Sequence, residues 1–122
     1  MDYKFVFYDY ECFSNDWLGV FISEDAAERG RLVKTVIVND FDSMRRYFDV
    51  HKDWIWIGYN SNHYDQWIAK AILNGIAPFK MNEWIIAEGQ EGWKYPEFGY
   101  GDIKRFKLKT WDCYNRVTDG GG

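Results

Sequence analysis

Cysteine is scarce in this chain. Cys12 and Cys113 are the only two, far apart and without metal-ligand spacing, so they read as buried free thiols rather than a disulfide staple. Long apolar runs are missing as well: no stretch of about 18 apolar residues occurs. The opening Met1-Asp2-Tyr3-Lys4 has neither a basic head nor an apolar core. A spanning helix and a signal peptide are therefore not expected, and the chain reads as soluble and cytoplasmic. No internal repeat appears, and the three closing glycines are the only low-complexity feature. Positive charge is in deficit. The net charge of −4 argues against a protein that holds nucleic acid by phosphate contacts alone.

Large side chains are plentiful. Of 122 residues, 47% are hydrophobic and 20% aromatic, which suits one domain with a real core and leaves no room for a second. Charge is unevenly placed: acids dominate the first thirty residues, whereas Lys104, Arg105, Lys107, Lys109 and Arg116 cluster near the end around Asp112. That basic cluster suits either a phosphate backbone or a solvated strand edge, where lysine discourages edge-to-edge pairing.

The most informative stretch is Phe5-Val6-Phe7-Tyr8-Asp9-Tyr10-Glu11-Cys12-Phe13, an apolar strand that ends by presenting two carboxylates. Side chains at i and i+2 share a face of a strand, so Asp9 and Glu11 point the same way, about 6 to 7 Å apart. Like charges at a strand end repel unless they are solvated or a hard divalent cation sits between them. Both possibilities stand at this point.

Strands are expected over 3–8, 17–22 and 32–38, joined by the polar turn 13–16 and the charged segment 23–31 into a meander. Asn39-Asp40 caps a helix over 41–48, where Phe41, Met44, Tyr47 and Phe48 recur at helical spacing. The continuous apolar run 54–59 reads as a strand covered on both faces and parallel to its neighbour. Asn60-Ser61-Asn62 breaks that strand and caps a helix over 63–73, which Asn74-Gly75 ends and Pro78 bars from continuing. A second helical piece over 80–88, a loop over 89–101 and a last strand over 105–113 complete an α/β fold: a mixed sheet, a three-strand meander plus parallel strands, with helices on its faces.

The second informative stretch is Gly58-Tyr59-Asn60-Ser61-Asn62-His63-Tyr64-Asp65. If the strand at 54–59 runs beside and parallel to the first, Asp65 reaches the rim that carries Asp9 and Glu11, and the three acids make a site for Mg²⁺ or Mn²⁺. Taken alone, Asp65 reads first as an acid favoured by a helix N-terminus.

Asp9-Tyr10-Glu11 resembles the first motif, Asp-x-Glu, of the DEDD or DnaQ-like 3′–5′ exonucleases, and Asn60-x-x-x-Tyr64-Asp65 resembles their second. The fuller wording is similar to the N-terminal proofreading region of some bacteriophage DNA polymerases. The resemblance implies a ribonuclease H-like fold, two-metal phosphodiester hydrolysis and a single-stranded DNA 3′ end as substrate. Asp9 would bridge the metals, Glu11 would hold one and orient a water, and Asp65 would complete the second. Asn60 would steady the substrate strand, while Cys12, Phe13 and Tyr64 would lie against the terminal nucleotide. The family's third motif, Tyr-x-x-x-Asp or His-x-x-x-x-Asp, does not occur; the nearest pattern, Tyr114 to Asp119, is one residue too long. The domain is thus expected to be a C-terminally truncated copy over 1–122, with weak or absent activity, because general base catalysis contributes roughly 10²- to 10⁴-fold. The alternative is a small phage protein that keeps the fold without the chemistry and binds a host protein, such as a defence nuclease, through its acidic front and aromatic residues.

Overall fold

The computed structural model describes residues 4–25 and 27–113. Strands β1 (Phe5–Cys12), β2 (Trp17–Glu24) and β3 (Leu32–Val38) form the expected antiparallel meander. Helix α1 (Phe41–His51) then crosses to β4 (Ile55–Gly58), which pairs parallel with β1 as expected, although it is fully buried on one face only, Ile55 and Ile57 on the other being part-buried. After α2 (Asp65–Leu73), α3 (Pro78–Asn82) and a short α4 (Asp102–Arg105), strand β5 (Lys109–Asp112) adds in parallel beside β4. The sheet order is β3-β2-β1-β4-β5, a mixed sheet flanked by helices.

Local chemistry sets these boundaries. The Asp40 carboxylate accepts from Ser43 N at 3.0 Å and caps α1 as its position suggests. Helix α2 ends in a Schellman arrangement: Gly75, at φ 74°, donates to Ile72 O, and Ile76 N donates to Ala71 O. Pro78 opens α3, a position where its missing N–H costs nothing.

Three expectations need correction. The helical piece anticipated over 80–88 is present, but it begins at Pro78 and changes from α3 to a π-helical turn at Glu83–Ala87. The loop anticipated over 89–101 contains a 3₁₀ turn, Gly92–Lys94. The last strand, expected over 105–113, is confined to 109–112: Arg105 is the end of α4, which follows the left-handed Gly101 at φ 82°, and pairing with β4 begins only at Lys109. The motif-like segment Tyr114 to Asp119 and the basic residue Arg116 lie outside the described residues.

The core lies on one side of the sheet. Val6, Tyr8, Tyr10, Phe21, Ile37 and Trp56 point toward the helices and are buried there with Met44, Phe48, Ile68 and Ile72. Much of the aromatic content is spent here: Tyr8 meets Trp56 edge-on at 5.2 Å between centroids, Tyr10 meets Phe21 at 5.7 Å, and Phe21 lies 4.5 Å from Tyr47. Tyr10 and Phe21 close over Gly19, where an added Cβ would lie 2.7 Å from the Phe21 ring.

The other face carries the alternate residues. Phe7 pairs with Ile22 on one side and Ile57 on the other, and Ile57 pairs with Trp111. Phe7 is 50% exposed and Trp111 48% exposed, and neither belongs to the core cluster.

The two faces should respond differently to truncation. Trp56→Ala, in the closed core, is expected to lower unfolding stability in urea by about 3–5 kcal/mol. Phe7→Ala, one strand away on the open face, should cost no more than about 1 kcal/mol.

Candidate functional site

The parallel pairing of β1 with β4 runs from Phe5↔Ile55 to Phe7↔Ile57, after which β4 ends and β1 continues to Cys12. Tyr10 N is therefore left without a partner strand on that side, and the Asp65 carboxylate takes the place of one: Oδ1 accepts from Tyr10 N at 3.1 Å. Asp65 starts α2 on the helix-covered side of the sheet and is 2% exposed. Asp9 and Glu11 flank Tyr10 and project from the opposite, exposed face, sharing it as strand periodicity requires.

The turn between β4 and α2 that brings Asp65 there is held from several directions. Gly58 admits it: a Cβ at this position would lie 2.7 Å from the Ser61 Cβ. Asn60 sits at φ 61°, a left-handed conformation that asparagine tolerates better than most residues. Its carbonyl accepts from both His63 N and Tyr64 N at 3.2 Å. From β5, Asp112 reaches back with both carboxylate oxygens, accepting from Asn60 N at 2.7 Å and Asn62 N at 2.9 Å. Trp67 Nε1 donates to Asn62 O at 2.8 Å. The expected side-chain cap by residues 60–62 is not what starts α2: its N-cap is Tyr64, with no side-chain cap bond, and Gln66 N donates to Ser61 O instead.

Burial shapes the electrostatics. The Asp65 carboxyl is pushed up to about 7, chiefly by desolvation and further by the charges of Asp9 and Asp112, with the bond from Tyr10 N opposing. Burial also raises the Tyr8 hydroxyl, which lies beside Ser61 and faces Asp65 and Asp112. The Cys12 thiol is raised by burial and lies against the Tyr64 hydroxyl, which donates to Asn82 Oδ1 at 2.6 Å. Cys12 and Tyr64 are half-buried and pack against the core; both cysteines are free thiols. Phe13, at the β1–β2 turn, is 54% exposed.

Asp9 and Asp65 thus come within electrostatic reach of each other, with Glu11 two residues along the strand. Among the described residues, no three His, Cys, Asp or Glu side chains are gathered closely enough to hold a metal ion. The reason is local: Asp65 turns inward to satisfy Tyr10 N, whereas Glu11 stays exposed on the far face. The acid donors fit a divalent ion in chemistry, since a buried carboxylate facing a second one is relieved by positive charge, but as a pair rather than a closed set.

Ser61 and Asp112 were not assigned a role by either motif, yet they hold the turn that brings Asp65 into place. Asp112 had one signal, its place near the end of the last predicted strand, where a structural role was the natural reading.

No helix among the described residues is long and apolar enough to cross a membrane.

Two measurements check this geometry. The folded-state pKa of Asp65 lies above its unfolded value near 3.8, so the folded chain binds the extra proton and stability falls as pH rises from about 4 to about 7. The loss is expected to be about 2–4 kcal/mol, followed by urea unfolding at pH 5 and pH 8. Asp65→Asn, which can still accept from Tyr10 N, should flatten this slope; an unchanged slope would assign it elsewhere. Asp112→Ala strands two amides of the turn and should cost about 2–3 kcal/mol at pH 7.

Comparison of the chain with protein-family models, with curated proteins and with solved structures finds no match.

Proposed function

We propose that this chain is a DnaQ-like 3′–5′ exonuclease domain on a ribonuclease H-like fold, with an incomplete site that binds a divalent cation and a single-stranded DNA 3′ end while hydrolysing it slowly or not at all. The observation that carries the reading is the Asp65 carboxylate seated on the amide of Tyr10, the residue that separates Asp9 from Glu11 along the strand, at the point where β1 outruns its parallel neighbour. The motif residues Asp9, Glu11, Asn60, Tyr64 and Asp65 fall on the strand, turn and helix start that the resemblance requires.

In this reading the pair Asp9 and Asp65 would hold Mg²⁺ or Mn²⁺, with Glu11 a looser donor from the exposed face; when bound, the ion supplies a water of lowered pKa and offsets charge at phosphorus. Asp9 is the exposed ligand that meets incoming substrate. Asp65, buried and raised toward neutrality, binds a proton in competition with the cation, so cation affinity rises with pH through about 7. Phe13 offers an exposed ring for the terminal base. Asn60, with its amide fixed by Asp112, steadies the strand, and Cys12 and Tyr64 form the wall behind. Hydrolysis is slow because the three acids are not closed around one point and the sequence offers no third motif with a general base.

A second reading, a domain that binds a host protein such as a defence nuclease without catalysis, draws on a different observation: the exposed apolar half of the sheet.

Thermal melting with and without Mn²⁺, followed by incubation with a 3′-labelled single strand, separates the two. The exonuclease reading expects saturating Mn²⁺ to add about 1–2 kcal/mol, a rise of a few degrees, that disappears in Asp9→Asn and in Asp65→Asn. Absence of any Mn²⁺-dependent shift, together with absence of strand shortening, would remove the exonuclease reading.

A further inference from the structure

The side chains on the open face of the sheet form rows fixed by the pairing register. One row runs Lys34, Ile22, Phe7, Ile57, Trp111 across all five strands, and the next begins Val36, Val20, Asp9. Phe7, Asp9, Val20, Ile22, Ile57 and Tyr59 line a shallow depression of about 630 Å³ over β1 and its neighbours. The floor of this depression is apolar, and its end at the exit of β1 is acidic. Lys34 is the cation in the Phe7 row, two strands away on β3, and Lys109 lies on β5 beside Ile55. Neither Asp9 nor Glu11 has an ion-pair partner among the described residues.

We infer that this depression is a docking site for an amphipathic, basic α-helix of a protein partner. Strands that run parallel, as β1, β4 and β5 do, are ordinarily covered on both faces, and here the helices among the described residues cover one. The dimensions suit a helix: a strip over β1 and β4 about 10 Å wide and 20 Å long matches a helix of about fourteen residues. Charge selects its sequence. An apolar helix without cations would desolvate Asp9 and Glu11 with nothing in return, and an acidic one would repel them, whereas Lys or Arg flanking the apolar stripe pairs with both. A second copy of this chain is disfavoured on the same ground, because face-to-face packing would bury two more carboxylates while the lysines stay on the outer strands. In the absence of a bound cation, a phosphate backbone is repelled by the same carboxylates. This inference rests on the second reading only for the open face, and requires neither metal nor catalysis.

The test uses the full chain, in buffer without divalent cations, and a pair of synthetic fluorescent helical peptides of about fourteen residues. Both carry the same leucine stripe; one is flanked by Lys and Arg, the other by Glu. Fluorescence anisotropy is expected to show saturable binding of the basic peptide, at least tenfold tighter than of its acidic twin. The double variant Asp9→Asn with Glu11→Gln should weaken the basic peptide at least tenfold and leave the acidic one unweakened. Phe7→Ala should weaken both, with unchanged circular dichroism. Equal binding of the two peptides, no binding of either, or sedimentation as a dimer that Phe7→Ala dissociates would each overturn the proposal. Because these assays contain no metal and the Mn²⁺ melting contains no peptide, either reading can fail without the other.

Discussion

A single hydrogen bond joins the two halves of this fold at its most chemically loaded point. Strand β1 runs past the end of β4, and the amide of Tyr10 would face an empty lane if the Asp65 carboxylate did not enter it. Satisfying a backbone donor at a strand end is an obligation for any buried segment. Meeting it with a carboxylate from the start of a helix also fixes the helix to the strand. The location of Asp9 relative to Asp65, the raised affinity of Asp65 for a proton, and the opening of the site toward one face of the sheet all follow from that placement.

Around this bond the structure is conservative. Asp112 grips two amides of the turn from the neighbouring strand, Gly58 leaves space for Ser61, and Asn60 takes the left-handed conformation that lets the chain reverse. These groups hold a turn rather than a substrate. They are the means by which a short parallel pair, three residues deep, positions a carboxylate to within hydrogen-bonding distance. Such a site is preorganised on one side, through Asp65, and adaptable on the other, where Asp9 and Glu11 stand in solvent. An arrangement of that kind suits a ligand that completes it, whether a cation or a positively charged side chain.

The closed and open faces of the sheet show two uses of the same composition. Aromatic residues on the helix side interlock edge-to-face and carry the core. Those on the other side, Phe5, Phe7 and Trp111, are equally apolar but only partly sheltered. Composition alone cannot separate them; strand parity together with the position of the helices does.

Much of this was legible in the chain itself. Period-two alternation put Asp9 and Glu11 on one face, the β-branched and aromatic runs marked β1 to β4, and the Asp40 and Gly75 signals bounded their helices, because each of these depends on neighbours within a few residues. The start of the last strand was misread for the same reason: alternation from Arg105 onward suits a strand, but Arg105 closes a helical turn that a left-handed Gly101 and the Asp102 carboxylate, accepting from Gly99 N, set up, and pairing begins only at Lys109. What only the tertiary structure decided was long-range. That Asp65 turns inward to Tyr10, fifty-five residues earlier, that Asp112 clamps the turn, and that the described helices gather on one face depend on where separate segments meet in space. Hydrogen bonds and burial across such separations are set by packing, and no local pattern encodes them.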